Sequence, residues 1–580
     1  MRKIRRREVV CHPTTATGAW ADLHPLLVSL YRARGIEDER QLSRDLKVLA
    51  PPTALKGLPV AGALVADAVE RGERVLILGD FDADGATSCA LAVLGLRAMG
   101  AAHVDFLVPN RFEYGYGLTP EIVAVAAQMR PDLIITVDNG ISSLEGVAAA
   151  NALGIRVLIT DHHLPGAELP DAACIVNPNQ PECGFPSKHL AGVGVIFYVM
   201  TAVRAELRRR DWFRQRGLAE PNMADYLDLV ALGTVADVVP LDHNNRVLVA
   251  QGLRRIRAGR CRPGISALLA VARRDPGALV ASDLGFAVGP RLNAAGRLDD
   301  MSLGIKCLLT DDPVRAEAMA QQLDELNRDR RAIESSMQRE ALASLDALQL
   351  DAQSLPWGLC LYQPEWHQGV IGILASRIKD RFHRPTIVFA DSEEEGMVKG
   401  SARSITGLHI RDALDAVAAT HRGLLSKFGG HAMAAGMTLR RERVDHFRDA
   451  FDAVVRMQLT EADLTAVLWS DGELAFDDLN LELAQAIQDG GPWGQHFPEP
   501  LFDGEFTLVQ QRLVGEKHLK LVLGDPRDRA RLVDGIAFNV DLRRWPDASV
   551  QRVRAAYRLD INRWRGQESV QLIVEHLEPL

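Results

Sequence analysis

A chain of 580 residues is too long for a single hydrophobic core and should divide into about three or four domains. With 25% charged residues, a net charge of −9 and a mean hydropathy near zero, it has the balance of an ordinary soluble globular protein. No apolar run reaches the roughly 18 residues of a membrane span, and the basic start MRKIRRREVVCHP has no apolar stretch behind it, so neither membrane insertion nor secretion is expected.

That basic start reads as a solvated tail, with a phosphate contact as the other reading. From about residue 60 to 240, strand-like runs alternate with Ala-rich helical ones: RVLILGD, TSCALAVLGLRAMG, HVDFLVP, PEIVAVAAQM, DLIITVDNG, LEGVAAANALG and IRVLITDHH. The alternation predicts βα units winding a parallel sheet, whose ligands sit beyond the carboxyl ends of the strands. Three of these strands end in polar groups at that edge: Asp80, Asp82 and Asp84, then Asp138, then Asp161, His162 and His163. The three aspartates before Gly85 resemble a calcium loop, but an EF-hand needs a glutamate where Leu91 stands and an entering helix where RVLIL predicts a buried strand. Gly85 is then read as the sharp turn into a helix beginning near Thr87.

Arginine is dense in RAELRRRDWFRQR and RRIRAGRCR, each a solvated helix face or a phosphate track. Residues 314–354 lack Gly and Pro and predict one long helix, a rigid connector. A second α/β block follows, from LCLYQPEWHQGVIGILASRI to GLLSKFGGHAMAAGM. After about 460 the pattern turns to alternation, with Tyr557, Leu559 and Ile561 set against Val570, Leu572 and Val574 around NRWRGQ, a hairpin in a small β-barrel. Seven cysteines without a C-x-x-C pair fit buried free thiols in a reducing cytoplasm, not a disulfide frame or zinc ribbon. Net charge does not favour nucleic acid as a partner, although a local basic groove can coexist with an acidic surface.

Carboxylates and a neutral imidazole are the ligands of a divalent ion that activates water, and Asp80, Asp82, Asp84, Asp138, His162 and Asp237 (in TVADVVPL) supply such a set. Asp82 and Asp84 point the same way and can serve one ion each, while Asp138, alone on its strand, is the natural bridge. Together they read as four strand-end contributions. Asp80 is open between ligand and cap, and His163 between ligand and supporting group.

GDFDADG, VDNG, TDHH and ALGTVADVVPL, in this order, resemble the four motifs of the DHH phosphoesterase superfamily. VPNRFEYGYGL, GPRLNAAGRL, EWHQGVIGILASR, KGSARS and KFGGHAMAAG extend the resemblance, from about residue 45 to the end, to its bacterial 5′ to 3′ single-strand DNA exonucleases. The resemblance implies an α/β architecture: an N-terminal segment (1–50), a parallel-sheet DHH catalytic domain (51–312), a connecting helix (313–350), a smaller α/β DHHA1 domain (351–458) and a C-terminal OB-fold barrel (459–580). It implies two Mn2+ or Mg2+ ions on the six residues above, with Asp161 and His163 supporting, and a second lobe whose Gly429, Gly430 and His431 face the ions across a cleft too narrow for duplex. Arg377, Ser401 and Arg403 are assigned to a terminal 5′ phosphate, Arg291 and Arg297 to backbone phosphate, with Asn293 holding the loop. Trp564, Arg563 and Phe538 are candidate strand contacts on the OB-fold, with a core role the leading reading for Phe538. The implied activity is removal of 5′ mononucleotides from single-stranded DNA in recombination and repair, by a cytoplasmic monomer served by a helicase and single-strand-binding protein. His163 or His431 would stabilise the developing charge. The rivals are a small-substrate phosphoesterase acting on nanoRNA, cyclic dinucleotides or pyrophosphate, against which the connector and barrel weigh, and a non-catalytic strand-binding scaffold, against which the complete set of acidic positions weighs.

Overall fold

The computed structural model describes residues 2–7, 18–109, 117–347, 355–564 and 566–580; 110–116, most of VPNRFEYGYGL, lie outside them. Two compact units emerge: Arg6–Leu326 with Ser470–Leu580, and Asn327–Trp469 with the residues up to Arg5.

The larger unit begins at the end of β1 (Arg2–Arg6). Its parallel sheet holds β2 (Arg74–Gly79), β3 (His103–Leu107), β4 (Leu133–Val137), β5 (Arg156–Thr160) and β6 (Cys174–Val176), in the order β3-β2-β4-β5-β6. The central strand LIITV is buried at every position, as a sheet covered on both faces requires. Every one of the expected strands and helices of this region is present. Register then fixes the site: Gly79 pairs with Val137, and Val137 with Thr160, so Asp80, Asp138 and Asp161 each follow the last residue of neighbouring strands.

In the smaller unit β7 (Leu359–Tyr362), β8 (Thr386–Asp391), β9 (Met397–Arg403), β10 (Lys427–Gly430) and β11 (Ala434–Arg440) form a mixed sheet in the order β10-β11-β9-β8-β7. Phe389, Phe447 and Phe451 pack its core. β12 (Ala466–Ser470) pairs with β1 in a two-stranded ribbon. The gap in Gly and Pro yields the expected helix, Pro313–Ala347.

The C-terminal strands β13 (Phe502–Val514), β14 (His518–Gly524), β15 (Leu532–Ala537), β16 (Arg552–Trp564) and β17 (Gln567–Pro579) close into a barrel. The hairpin forms in the register its alternation predicts: Tyr557 opposite Val574, Leu559 opposite Leu572, Ile561 opposite Val570. All six point inward or nearly so, and the barrel interior is continuous with the core of the parallel-sheet region. Among the described residues no single helix is long and apolar enough to cross a membrane, and the six described cysteines are free.

Candidate metal centre

The first acidic loop is shaped by a helix that starts earlier than expected, at Ala83 rather than near Thr87. Asp82 caps it: its Oδ1 accepts from Asp84 N (2.9 Å) and Gly85 N (3.0 Å), so the capping weighed for Asp80 falls to Asp82. Gly85 therefore lies inside the first turn, and its use is close approach rather than a sharp bend. A Cβ there would stand 2.5 Å from the Asp80 carbonyl oxygen.

Asp84 is buried at two helix starts at once. Besides the first turn of its own helix, its Oδ2 accepts from Gly192 N (2.6 Å) and Oδ1 from Val193 N (2.9 Å), at the head of the helix Gly192–Arg209. Helix N-termini favour negative charge, which offsets part of the cost of burying it. Asp138 adopts a left-handed backbone, φ +63°, and Val238, beside Asp237, does the same at +63°. Side-chain-bearing residues rarely hold that conformation, and such strain gathers at functional sites. Asp237 itself is a correction: it caps the C-terminus of the helix Leu227–Ala236, so the fourth contribution comes from a helix end, not a strand end. The negative end of that helix adds to the carboxylate's pull on a cation.

Asp161 holds the histidines. Its Oδ1 accepts from His162 N (2.7 Å), His163 N (3.1 Å) and His163 Nδ1 (2.7 Å), and its Oδ2 from Ile141 N (2.9 Å). The segment after β6 closes the other side: Asn179 Nδ2 donates to the His162 carbonyl and Asn177 Nδ2 to that of His163. Neither asparagine was singled out from sequence. Gly192 and Gly296 were missed as well: an added Cβ would sit 2.6 Å from Asp138 Cβ in the first case and 1.8 Å from the Phe81 carbonyl oxygen in the second. The G-P-R-L-N-A-A-G-R segment could have signalled Gly296; only tertiary contact reveals the others.

The ligating atoms fall into three overlapping groups, each within 4.8 Å: Asp80, Asp82 and Asp138; Asp84, His162 and Asp237; Asp138, His162 and His163. His162 Nε2 lies 3.1 Å from Asp138 Oδ1 and 3.5 Å from Asp237 Oδ2. Yet among the described residues neither His162 Nε2 nor Asp237 Oδ2, both buried, makes a hydrogen bond. Burial, then the charge of Asp237, pushes Asp84 up to about 7; burial, then Asp82, does the same to Asp237. Asp138 is raised well above the carboxylate range, by burial first and then by its acidic neighbours. Burial, with the charge of His163, lowers His162 and keeps its imidazole neutral at pH 7, as a metal ligand must be. Burial opposes protonation of His163, but Asp161 outweighs it and raises the ring to about 9. Crowded carboxylates around a neutral imidazole are a donor set for hard divalent ions, and the site fits two of them.

Arg291, expected at backbone phosphate, is held within the fold. It is buried, with Nε and Nη2 on Asp324 Oδ1 (2.9 and 2.7 Å) and Nη1 on the Ala287 carbonyl (2.5 Å), so its guanidinium braces the fold. Asn293 does hold the loop, accepting from Ala83 N at 2.7 Å, and Arg297 lies half-buried on the same helix, Gly289–Leu298. Phe538 is exposed on the barrel, against the core role and in line with its other reading as a strand contact, and Arg563 pairs with Glu568. The side chain of Trp564 lies outside the described residues.

Within the smaller unit, Gly429, Gly436 and Ser401 stand in one row across β10, β11 and β9. Arg403, on the same face of β9 as Ser401, donates to Ser401 Oγ at 3.1 Å. Gly372, in the first turn of the helix Ile371–Phe382, abuts both; a Cβ there would lie 2.9 Å from Arg403 Nη2 and 3.0 Å from Ser401 Oγ. Glycine, serine, arginine and a helix N-terminus are group types that bind anions. Arg377, farther along that helix, donates to Glu334 Oε1 at 2.8 Å. Gly430 takes φ +147°, and His431 is exposed beside it.

Comparison with known proteins agrees with this architecture. Family models for the DHH family N-terminal domain, the DHHA1 domain and the RecJ OB domain match residues 74–234, 357–457 and 470–576. The single-stranded-DNA-specific exonuclease RecJ of Dickeya dadantii is 57% identical over 578 residues, covering 100% of this chain and 99% of that one. The crystal structure of RecJ from Thermus thermophilus in complex with Mn2+ superposes with a TM-score of 0.78 at 30% identity, over 96% of this chain and 76% of that one. Its complex with Mg2+ gives a TM-score of 0.73 at 28% identity, over 96% and 75%.

Proposed function

The chain belongs to the RecJ family of single-stranded-DNA-specific exonucleases, and from that premise we propose that its acidic centre hydrolyses single-stranded DNA from the 5′ end, releasing mononucleotides in recombination and repair. The observation that carries this reading is the convergence of three neighbouring strand ends and one helix end on a buried donor set whose His162 Nε2 and Asp237 Oδ2 make no hydrogen bond among the described residues.

Asp80, Asp82 and Asp138 would hold one Mn2+ or Mg2+ ion and Asp84, His162 and Asp237 the second, with Asp138 shared, and these ions supply the charge that activates water and neutralises the phosphate. Asp161 holds the DHH loop by accepting from the backbone N–H of Ile141, His162 and His163, and orients the His163 ring by its contact with Nδ1. His163, cationic at neutral pH, and His431 offset charge developing on the scissile phosphate. Ser401, Arg403 and Arg377, with the glycines 429 and 430, take the terminal 5′ phosphate and so fix polarity; Arg297 meets backbone phosphate. Arg563 and Trp564 touch the strand on the barrel. Residues 51–312 form the catalytic domain, 351–458 the phosphate-binding domain and 459–580 the strand-holding barrel. The enzyme works in the cytoplasm as a monomer, with a helicase to open duplex and single-strand-binding protein to deliver the strand.

An end-labelled digestion series tests this. Asp84→Ala should cut hydrolysis of a 5′-phosphorylated strand in Mn2+ by about a hundredfold or more, the scale of removing one metal-ion contribution. The parent should release label from the 5′ end first. Digestion by the variant at the parent rate would defeat the assignment, and release from the 3′ end would defeat the polarity.

A further inference from the structure

Beyond the metal ligands, the most exposed large apolar side chain described is Phe286, at 79%. It sits in a single π-helical turn, Leu284–Val288, whose Leu284, Ala287 and Val288 are buried while the phenyl ring is turned out. Such turns interrupt a helix's regular register and recur at functional sites. This one is fastened to the metal centre from two directions. It runs directly into the helix whose Asn293 accepts from Ala83 N and whose Gly296 lies against the Phe81 carbonyl. It also packs on the helix that ends in Asp237: a Cβ added to Gly285 would stand 3.2 Å from Val235 Cγ1, and one on Gly289 3.1 Å from Ala236 Cβ.

Phe286 lines a cavity of about 1010 Å³ inside the larger unit, between the catalytic region and the barrel. Val238, the residue after Asp237, and Phe538 on the barrel line the same cavity and are exposed at 62% and 52%. Seven arginines and five carboxylates also line it, and of these arginines Arg274, Arg558 and Arg563 are paired with carboxylates. Among them, Arg254 and Arg273 are exposed. An open aromatic face amid arginines suits an unpaired base with its phosphates, since stacking needs a bare π-face and the guanidinium groups pair with the backbone. A duplex offers no such face.

We propose that Phe286 is a positioning residue that stacks on a base of the single strand held between barrel and metal centre, and so sets how far the strand advances toward the acidic loop. The proposal rests on the exonuclease reading above. Its chemistry is sequence-tolerant, because every base has a π-face.

The test is a cycle of steady-state hydrolysis in Mn2+ with a 5′-phosphorylated oligonucleotide, either intact or carrying one abasic site moved along the strand. Phe286→Ala should raise KM about tenfold, within the range of one base–aromatic stack, with kcat changed less than KM. At one position the abasic site should raise KM in the parent and in Phe286→Trp, but not in Phe286→Ala, and Phe286→Trp should restore most of the intact-strand KM. An unchanged KM in Phe286→Ala would overturn the proposal. So would a raised KM with the same abasic profile as the parent, which would give the ring a packing or protein-docking role instead. Absence of DNA hydrolysis by the parent would instead defeat the exonuclease reading, so the two failures are distinguishable.

Discussion

Burying Arg291 with Asp324 removes two charges from water, and the arrangement holds because three guanidinium contacts converge on Asp324 and the Ala287 carbonyl. Arg291→Ala should therefore lower unfolding free energy by about 3–5 kcal/mol, the cost of leaving one buried charge uncompensated. Chemical denaturation reads that loss. The salt dependence of single-strand binding by whatever variant remains folded should match the parent; a phosphate contact would reverse the pattern, sparing stability and flattening the salt slope by nearly one counterion. The motif GPRLNAAGR placed the arginine near the chemistry but could not say what its fork would meet, since Asp324 stands 33 positions away on another helix. The aspartates were legible because a run of three after a buried strand has few other uses. Which of them caps was not legible, because that depends on where the helix starts. The left-handed backbones at Asp138 and Val238 left no trace in the sequence.

At the scale of elements, the strands were readable because a doubly covered parallel strand is a continuous apolar run, and the C-terminal hairpin because alternation fixes register. Segments that carry neither pattern were missed, and the stretch after β6 is the clearest case. Asn177 and Asn179 grip the carbonyls of His163 and His162, and Asn177 Oδ1 accepts from Asn179 N at 2.7 Å, so the pair acts as one clamp on the DHH loop. Asparagines in a loop read as turn formers, which is what they usually are. Asn179→Ala should leave the fold intact while weakening Mn2+ binding by about 10- to 100-fold, the usual effect of removing a group that orients a ligand. Calorimetric titration of Mn2+ into the protein checks this. Unchanged affinity would mean that Asp161 alone orients His162.

Across the whole molecule, the candidate ligands are not shared out: Asp80, Asp82, Asp84, Asp138, His162 and Asp237 all belong to the larger unit, whose sheet and barrel draw on one continuous core. The smaller unit has its own aromatic core, and it carries Ser401 and Arg403, proposed above to take the 5′ phosphate. Ligand linkage then makes an asymmetric prediction. A metal that binds only the folded state stabilises the unit that holds it by RT ln(1 + [L]/Kd), about 2.7 kcal/mol at a hundred times Kd. Without metal, the buried carboxylates repel one another and Asp237 faces the negative end of its own helix, so the larger unit is destabilised in the same sense. Scanning calorimetry should resolve a transition that rises by several degrees when EDTA is replaced by Mn2+, beside one that does not move. Phosphate or a 5′-mononucleotide should do the converse, raising the transition that ignores Mn2+. A single transition that both ligands raise together would show that the two units unfold as one.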